Sequence, residues 1–327
     1  MSLKIAGVGR YLPPRVVLNP EIEARCGLPA GWIEEMQGVR ERRWIVKESA
    51  SFMGAEAAKE AVADAGLELK DIDLILNASG TPQQVIPDGG ALLQRELGLG
   101  ASGIPSMSVH TTCLSFLTAL DVSNSLLSSG RYRSILIVSS DISSVGINFD
   151  NPETASLFGD AAAAVVVVKT PEGEGSRVLS ARLETYGDDA DLTTILGGGT
   201  RKHPNDPNTR PLDNLFHMDG RRVYMRAVGK LGNFLEKLRP GLSEGLGSIQ
   251  LVVPHQPSKL GLRSLRKYNF PPEQVVETVD KLGNCIAASI PATLYEAVRG
   301  QRMKRGDEVL MVGTGAGLSL GGLILTY

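Results

Sequence analysis

The sequence predicts an α/β protein built twice over on one plan, and three observations carry that prediction. Apolar runs such as ILIVSS and AAAAVVVVK have the length of buried strands. Glycine is frequent, at 37 residues in 327, and often follows such runs, which is the punctuation of sharp strand-to-helix turns. The two halves can also be laid on each other. DIDLILNAS matches SIQLVVPHQ, a cysteine-led helix follows each at Cys113 and at Cys285, and the next strand is RSILIVSS in one half and DEVLMVGTG in the other. Such self-similarity reads as an internal duplication, with residues 1–170 as one half and 171–327 as the other.

Each element has its own signal. The helix AEAAKEAVADA, Ala55 to Ala65, is closed by Gly66 as a C-cap. DLILNAS, at 73–79, is a strand. A nearly all-apolar helix runs from Cys113 to about Ser129, and Gly130 ends it; a helix apolar on every side is buried. Strands at 134–140 and 161–168 follow. The second half has a helix over about 223–238, a strand at 248–256, a helix at about 259–268, a strand VVETVD at 275–280 and a helix at about 285–299. DEVLMVGTGAG and GGLILTY close the chain as strands. The stretch from Pro171 to Gly220, rich in Gly, Pro, Asp and Asn, reads as irregular connecting structure, a lid or pocket wall.

Composition narrows the function. The apolar share of 42% and charged share of 21% are those of a globular chain. Basic and acidic side chains, 34 and 36, give a net charge of −2, without the basic excess that a nucleic-acid binder uses against phosphates. No apolar run approaches the about 18 residues of a membrane span, and the opening MSLKIAGVGRYLPP lacks a secretory core. Three cysteines are too few for a disulfide framework, so a reducing, cytoplasmic setting is expected. Gly313, Gly315 and Gly317 form a loop where backbone can approach a ligand, but the GxGxxG spacing of a dinucleotide site is absent. The histidines and cysteines show no metal-ligand spacing, so neither NAD nor a metal is expected.

Three residues could carry chemistry. Cys113, in HTTCLSF, stands where a helix dipole and free N–H groups favour a thiolate; the alternative is a small buried hydrophobe. His255 ends the strand LVVPHQ, at the edge where α/β proteins build sites, and could donate to a carbonyl or take a proton. Asn284, in LGN, is either an N-cap or an amide donor aimed into a pocket. Cys26 and Cys285 read as structural, His110 stands three residues before Cys113, and His203 and His217 receive no role.

Together these features make the chain resemble the β-ketoacyl-ACP synthase III family of the thiolase superfamily. The likeness spans nearly the whole chain: IAGVGRYLPPRVVLN, GWIEEMQGVRERR, LFGDAAAAVVV, VPHQ, LGNCIAASIPATLYEA and the terminal glycine loop. The resemblance implies a thiolase-like αβαβα five-layered fold from two duplicated halves, a homodimer, and a triad of Cys113, His255 and Asn284. It implies that Cys113 takes an acyl group from a thioester while the backbone N–H groups of Cys113 and Ala316 hold the oxyanion. His255 and Asn284 would then donate hydrogen bonds to the enolate left when a malonyl thioester loses carbon dioxide, as in fatty acid or polyketide biosynthesis. Acyl-CoA or acyl carrier protein thioesters are the implied substrates, with no cofactor. Trp32 matches the family tryptophan that stacks on the adenine of coenzyme A, and Phe158 is a pocket wall or plain core.

The departures bear on substrate. Met36, and the stretch with Pro152 and Glu153, stand where the family places coenzyme-binding arginines, which removes charge-assisted phosphate contacts. Ile86 replaces the phenylalanine that bounds the acyl pocket, leaving room for a longer or branched chain. Ser258 replaces an asparagine that orients the catalytic group. Leu260 replaces a carrier-docking arginine, although Lys259, Arg263, Arg266 and Lys267 keep that helix basic toward an acidic carrier. Two rivals stand beside this reading: a non-decarboxylating O- or N-acyltransferase of secondary metabolism, and a ketosynthase-shaped subunit that only binds.

Overall fold

The structure is a computed structural model that describes residues 3–327. The chain runs β1 (Leu3–Tyr11), β2 (Arg15–Leu18), α1 (Asn19–Cys26), α2 (Trp32–Gln37), β3 (Glu41–Trp44), α3 (Ala50–Asp64), β4 (Leu74–Asn77) and α4 (Gly89–Glu96). It goes on through β5 (Ser106–Ser108), α5 (Ser115–Ser128), β6 (Ser134–Asp141), α6 (Pro152–Ala155), β7 (Ala161–Lys169), β8 (Arg177–Thr185), β9 (Thr193–Thr194) and β10 (His217–Met218). The rest is α7 (Gly220–Leu238), β11 (Leu251–Pro254), α8 (Lys259–Arg263), α9 (Val279–Leu282), α10 (Ser289–Arg299), β12 (Glu308–Gly315) and β13 (Ser319–Thr326).

Two sheets repeat one connectivity. The first has the order β1-β7-β6-β4-β5 and the second β8-β13-β12-β11. In the first, β7 is antiparallel to both neighbours and β4 is parallel to β6 and β5. In the second, β13 is antiparallel to both neighbours and β11 is parallel to β12. A parallel bridge from Val252 to Val275 stands where β5 stands in the first sheet.

Side-chain alternation sets the layers. Ile135, Ile137, Val165 and Val167 point into a central core with Val309 and Met311 of the second sheet. Leu136, Val138 and Val166 point the other way, onto α3, while Leu310 and Val312 point onto α7. The central core is filled by Phe116, Leu117 and Leu120 of α5 and by Ile290 and Leu294 of α10. The result is helix, sheet, helix, sheet, helix: the thiolase-like αβαβα fold. Bare backbone lets α3 lie directly on β1, since a Cβ on Gly9 would fall 2.1 Å from the Ala57 carbonyl oxygen.

Several elements differ from their sequence pattern. Helix α3 starts at Ala50, ahead of the alanine-rich run, because the Ser49 side chain accepts the Phe52 N–H as N-cap. The stretch 171–220 is not all irregular: β8 lies within it and pairs along its length with β13. That strand owes its existence to a partner distant in sequence. The expected strand at 275–280 shrinks to the Val275 bridge, because Gln256 Oε1 takes the N–H groups of Thr278 and Val279 and the chain turns into α9. The expected helix at 259–268 is α8 followed by a 3-10 turn, Ser264–Tyr268. Among the described residues, no helix is long and apolar enough to cross a membrane.

Candidate active site

Cys113 lies in a 3-10 turn, Thr112–Leu114, that leads into α5. The turn is stapled to the helix by its first residue: the Thr111 N–H donates to Ser115 Oγ at 3.0 Å, and Ser115 Oγ donates to the Thr112 carbonyl at 2.7 Å. Burial pushes the Cys113 thiol up to about 12, and the charge of Asp141 adds to this. The backbone N–H groups of Ala316 and of Cys113 itself pull the other way. The resting group is therefore a thiol. The helix dipole by itself predicts a thiolate, and desolvation outweighs it.

Ala316 comes from the β12–β13 turn, and Thr112 Oγ1 donates to its carbonyl at 3.4 Å. Two glycines of β12 make the approach possible. A Cβ on Gly315 would lie 2.9 Å from Thr112 Oγ1, and one on Gly313 would lie 2.7 Å from the His255 Cβ and 3.2 Å from Leu114 Cδ2. Gly313 thus brings the cysteine turn and His255 against one point of backbone. His255 is 4% exposed, and its Nδ1 has no hydrogen-bond partner among the described residues. Burial drives the imidazole down to about 4, so it is neutral at neutral pH. Beside it, Gln256 donates to the Pro254 and Val276 carbonyls and accepts from Thr278 and Val279, tying the histidine's loop to the segment before Asn284.

Asn284 is set by a lock between LFGD and LGN. Its N–H donates to the Leu157 carbonyl at 2.8 Å, and the Gly159 N–H donates to its carbonyl at 3.2 Å. Only bare backbone fits on either side: a Cβ on Gly159 would fall 2.0 Å from the Leu282 carbonyl oxygen, and one on Gly283 2.5 Å from that of Leu157. The Asn284 Oδ1 accepts the Ile286 N–H at 2.9 Å, and among the described residues the Nδ2 hydrogens have no acceptor.

Asp141, absent from the sequence expectations, binds backbone from both halves. Its Oδ1 accepts the N–H groups of Gly80 and Thr81 and the Thr81 hydroxyl, and its Oδ2 accepts the Ala288 N–H. Burial raises its carboxyl to about 6. Its signal in the chain is an acid closing an otherwise uncharged strand. Cys285 is not in register with Cys113. Its N–H donates to Ser289 Oγ at 3.1 Å, as the Thr111 N–H does to Ser115. Cys285 is therefore the counterpart of Thr111, and the counterpart of Cys113 is the buried Ala287. Cys285 itself is buried, with its thiol donating to the Leu282 carbonyl.

The surrounding residues sort into wall, rim and outlier. Phe158 is buried, packs edge-on against Phe216 at 4.7 Å, and shares an apolar cluster with Trp32 and Ile286. Met36 is 54% exposed on α2, and Gln37 beside it donates to the Glu153 carbonyl at 3.4 Å. A Cβ on Gly38 would meet Lys259 at 2.4 Å, so α8 adjoins the same rim. Ser258 Oγ accepts the Gly261 N–H at 3.2 Å, an N-cap for α8. Leu260 on α8 is exposed. Ile86 stands 83% exposed. Among the described residues, no three His, Cys, Asp or Glu side chains gather as a metal site.

Comparison with known proteins places this arrangement. Residues 107–187 match the family described as 3-Oxoacyl-[acyl-carrier-protein (ACP)] synthase III, and residues 244–327 match its C-terminal part. The chain is 32% identical over 328 residues to beta-ketoacyl-[acyl-carrier-protein] synthase III of Aquifex aeolicus (strain VF5), covering 100% of both chains. It is 35% identical to the same-named protein of Granulibacter bethesdensis, over 98% of each. The crystal structure of the Aquifex aeolicus 3-oxoacyl-[acyl-carrier-protein] synthase III superposes with a TM-score of 0.88, at 32% identity, covering 99% of this chain and 100% of that one. The chain belongs to the β-ketoacyl-[acyl-carrier-protein] synthase III family of acyltransferases.

Proposed function

We propose that this enzyme joins an acyl thioester to a malonyl thioester by decarboxylative Claisen chemistry through an acyl–Cys113 intermediate. The observation that carries the reading is the meeting at Gly313 and Gly315 of the Cys113 turn, the strand end that holds neutral His255, and the turn that carries Ala316. Neutral His255 takes the thiol proton as sulfur attacks the acyl carbonyl. The two N–H groups hold the oxyanion, a contribution of about 3–4 kcal/mol per donor in comparable sites. The intermediate collapses, and the first thiol leaves with that proton. A malonyl thioester then loses carbon dioxide. The electron pair of the broken C–C bond becomes an enolate, whose oxygen accepts from His255 and from the free Nδ2 of Asn284. The enolate carbon attacks the acyl–Cys113 carbonyl and expels the sulfur as thiolate, which takes a proton from water to restore the resting thiol, and a β-ketoacyl thioester is left. Substrate thioesters supply all the bonds, and no cofactor is called for.

Rim chemistry favours a carrier-protein donor over free coenzyme A. Met36 and Glu153 offer no guanidinium there, while Lys259, Arg263, Arg266 and Lys267 are exposed on and just after α8 and suit an acidic carrier. A homodimer is also supported. Val85 (74%) and Ile86 (83%) are exposed, as is Met107 on the edge strand β5, and a second copy would cover them. The free amide of Asn284 weighs against simple O- or N-acyl transfer, which generates no enolate. Incubation with a panel of acyl-CoA and acyl carrier protein thioesters, read by intact mass, tests the scheme. Wild type gains one acyl group and Cys113→Ala gains none. A mass gain that persists in the variant removes Cys113 as nucleophile, and turnover without carbon dioxide release removes the condensation.

A further inference from the structure

Ile286 holds φ at +52°, in the left-handed region where a β-branched residue is an outlier. Backbone of this kind persists only where its surroundings hold it, and it gathers at functional sites. Two sets of contacts hold this one. Its N–H donates to Asn284 Oδ1 at 2.9 Å, which fixes the amide with its Nδ2 face outward. Its side chain joins the apolar cluster of Trp32, Phe158 and Phe216. On the other side, the Ile286 Cγ2 lies 2.5 Å from the place of a Cβ on Gly80, and the Thr112 carbonyl lies 3.2 Å from that same place. One side chain therefore spans from the aromatic cluster to the segment on which the Cys113 turn rests.

We propose that Ile286 is a positioning and specificity-determining residue for the condensation. Its strained backbone orients the donor face of Asn284, and its side chain limits the bulk of the acyl chain that reaches Cys113. The inference rests on the acyl–Cys113 reading above. Because the two roles sit on different atoms, they separate by substitution. Ile286→Ala keeps the N–H and removes the bulk. Ile286→Gly also removes the strain that fixes the turn. Ile286→Val is the conservative control.

The test uses the full chain, with acetyl to dodecanoyl thioesters for acylation by intact mass and malonyl thioester for carbon dioxide release. Ile286→Ala is expected to raise the long-to-short acylation ratio by about tenfold or more, the scale on which pockets discriminate a few methylenes. Ile286→Gly is expected to do the same and to slow decarboxylation about tenfold, with its thermal transition kept; Ile286→Val stays near wild type. Wild-type chain-length ratios in the Ala and Gly variants overturn the specificity role, and an unchanged decarboxylation rate in a folded Gly variant overturns the positioning role. Should the Gly variant not fold, the Ala and Val variants decide, since both keep the turn N–H: decarboxylation within about twofold of wild type in both supports the backbone role, and a loss of about tenfold in either contradicts it. A wild type that forms no adduct at Cys113 sinks the mechanistic reading itself, an outcome distinct from all of these.

Discussion

The two helix-leading turns of the molecule, one from each half, share a backbone and differ in chemistry. Thr111 and Cys285 each donate an N–H to the serine four residues on, at 3.0 and 3.1 Å. Thr112 and Ile286 each take a left-handed φ, +50° and +52°. Each turn then passes through one 3-10 stretch into a central helix. At the third position one half has Cys113 and the other has Ala287. Asn284, just ahead of the second turn, has His110 as its counterpart in the first. The two frames are equivalent in backbone, and the proposed mechanism makes one of them the nucleophile's and the other the enolate donor's. Asp141 ties the frames together, since it accepts N–H groups from Gly80 and Thr81 in the first half and from Ala288 in the second.

The sharpest way to break this comparison is to remove the donor of the second frame. Asn284→Ala is expected to slow malonyl decarboxylation by about 10²–10³ while acylation of Cys113 changes less than about tenfold. Equal losses in both half-reactions would contradict a division of labour between the turns. The electrostatics of the first frame come next. With the thiol at about 12, alkylation of Cys113 by iodoacetamide should climb about tenfold per pH unit from pH 7 to 10, because only the thiolate reacts. A plateau near neutrality, in a site-resolved mass measurement that separates Cys26 and Cys285, would show that the helix dipole wins over burial.

Packing gives a smaller effect. Gly313→Ala puts a Cβ 2.7 Å from that of His255 and is expected to cost about 1–3 kcal/mol of stability, with acylation falling as the histidine is displaced. An unchanged melting midpoint and rate would mean that β12 gives way without moving the site. The smallest effect tests the symmetry directly. Ser115→Ala and Ser289→Ala each delete an acceptor of a turn N–H and should each cost about 1–3 kcal/mol. Only Ser115→Ala should also slow acylation. Matching kinetic losses in both variants would show that the two frames act as one unit.

Much of this molecule was legible in the chain. The strands β6 and β7 announce themselves as apolar runs, and the repeated order of strand, helix and strand pointed to duplication before any sheet was seen. Other features were not local. Strand β8 sits among glycines and prolines and is a strand because β13 lies beside it. VVETVD has the composition of a strand, but the side chain of Gln256 takes two of its N–H groups and turns it into a helix. That Ser258 caps α8 became visible only in the fold. The cysteines of the two halves stand two residues out of register, because the equivalence is set by the N–H to serine bonds of the turns and not by residue identity.

What the sequence determined alone was periodicity and context: which segments are strands or helices, and that Cys113, His255 and Asn284 each stand at an element's end. Those follow from neighbouring residues, whose spacing fixes which side is apolar and where the chain turns. Only the tertiary structure decided protonation and register. Burial raises the thiol and lowers the imidazole, Gly313 and Gly315 let distant segments touch, and Asp141 links one frame to the other. These depend on how much water is excluded and on which far residue arrives, and neither quantity belongs to any short stretch of chain.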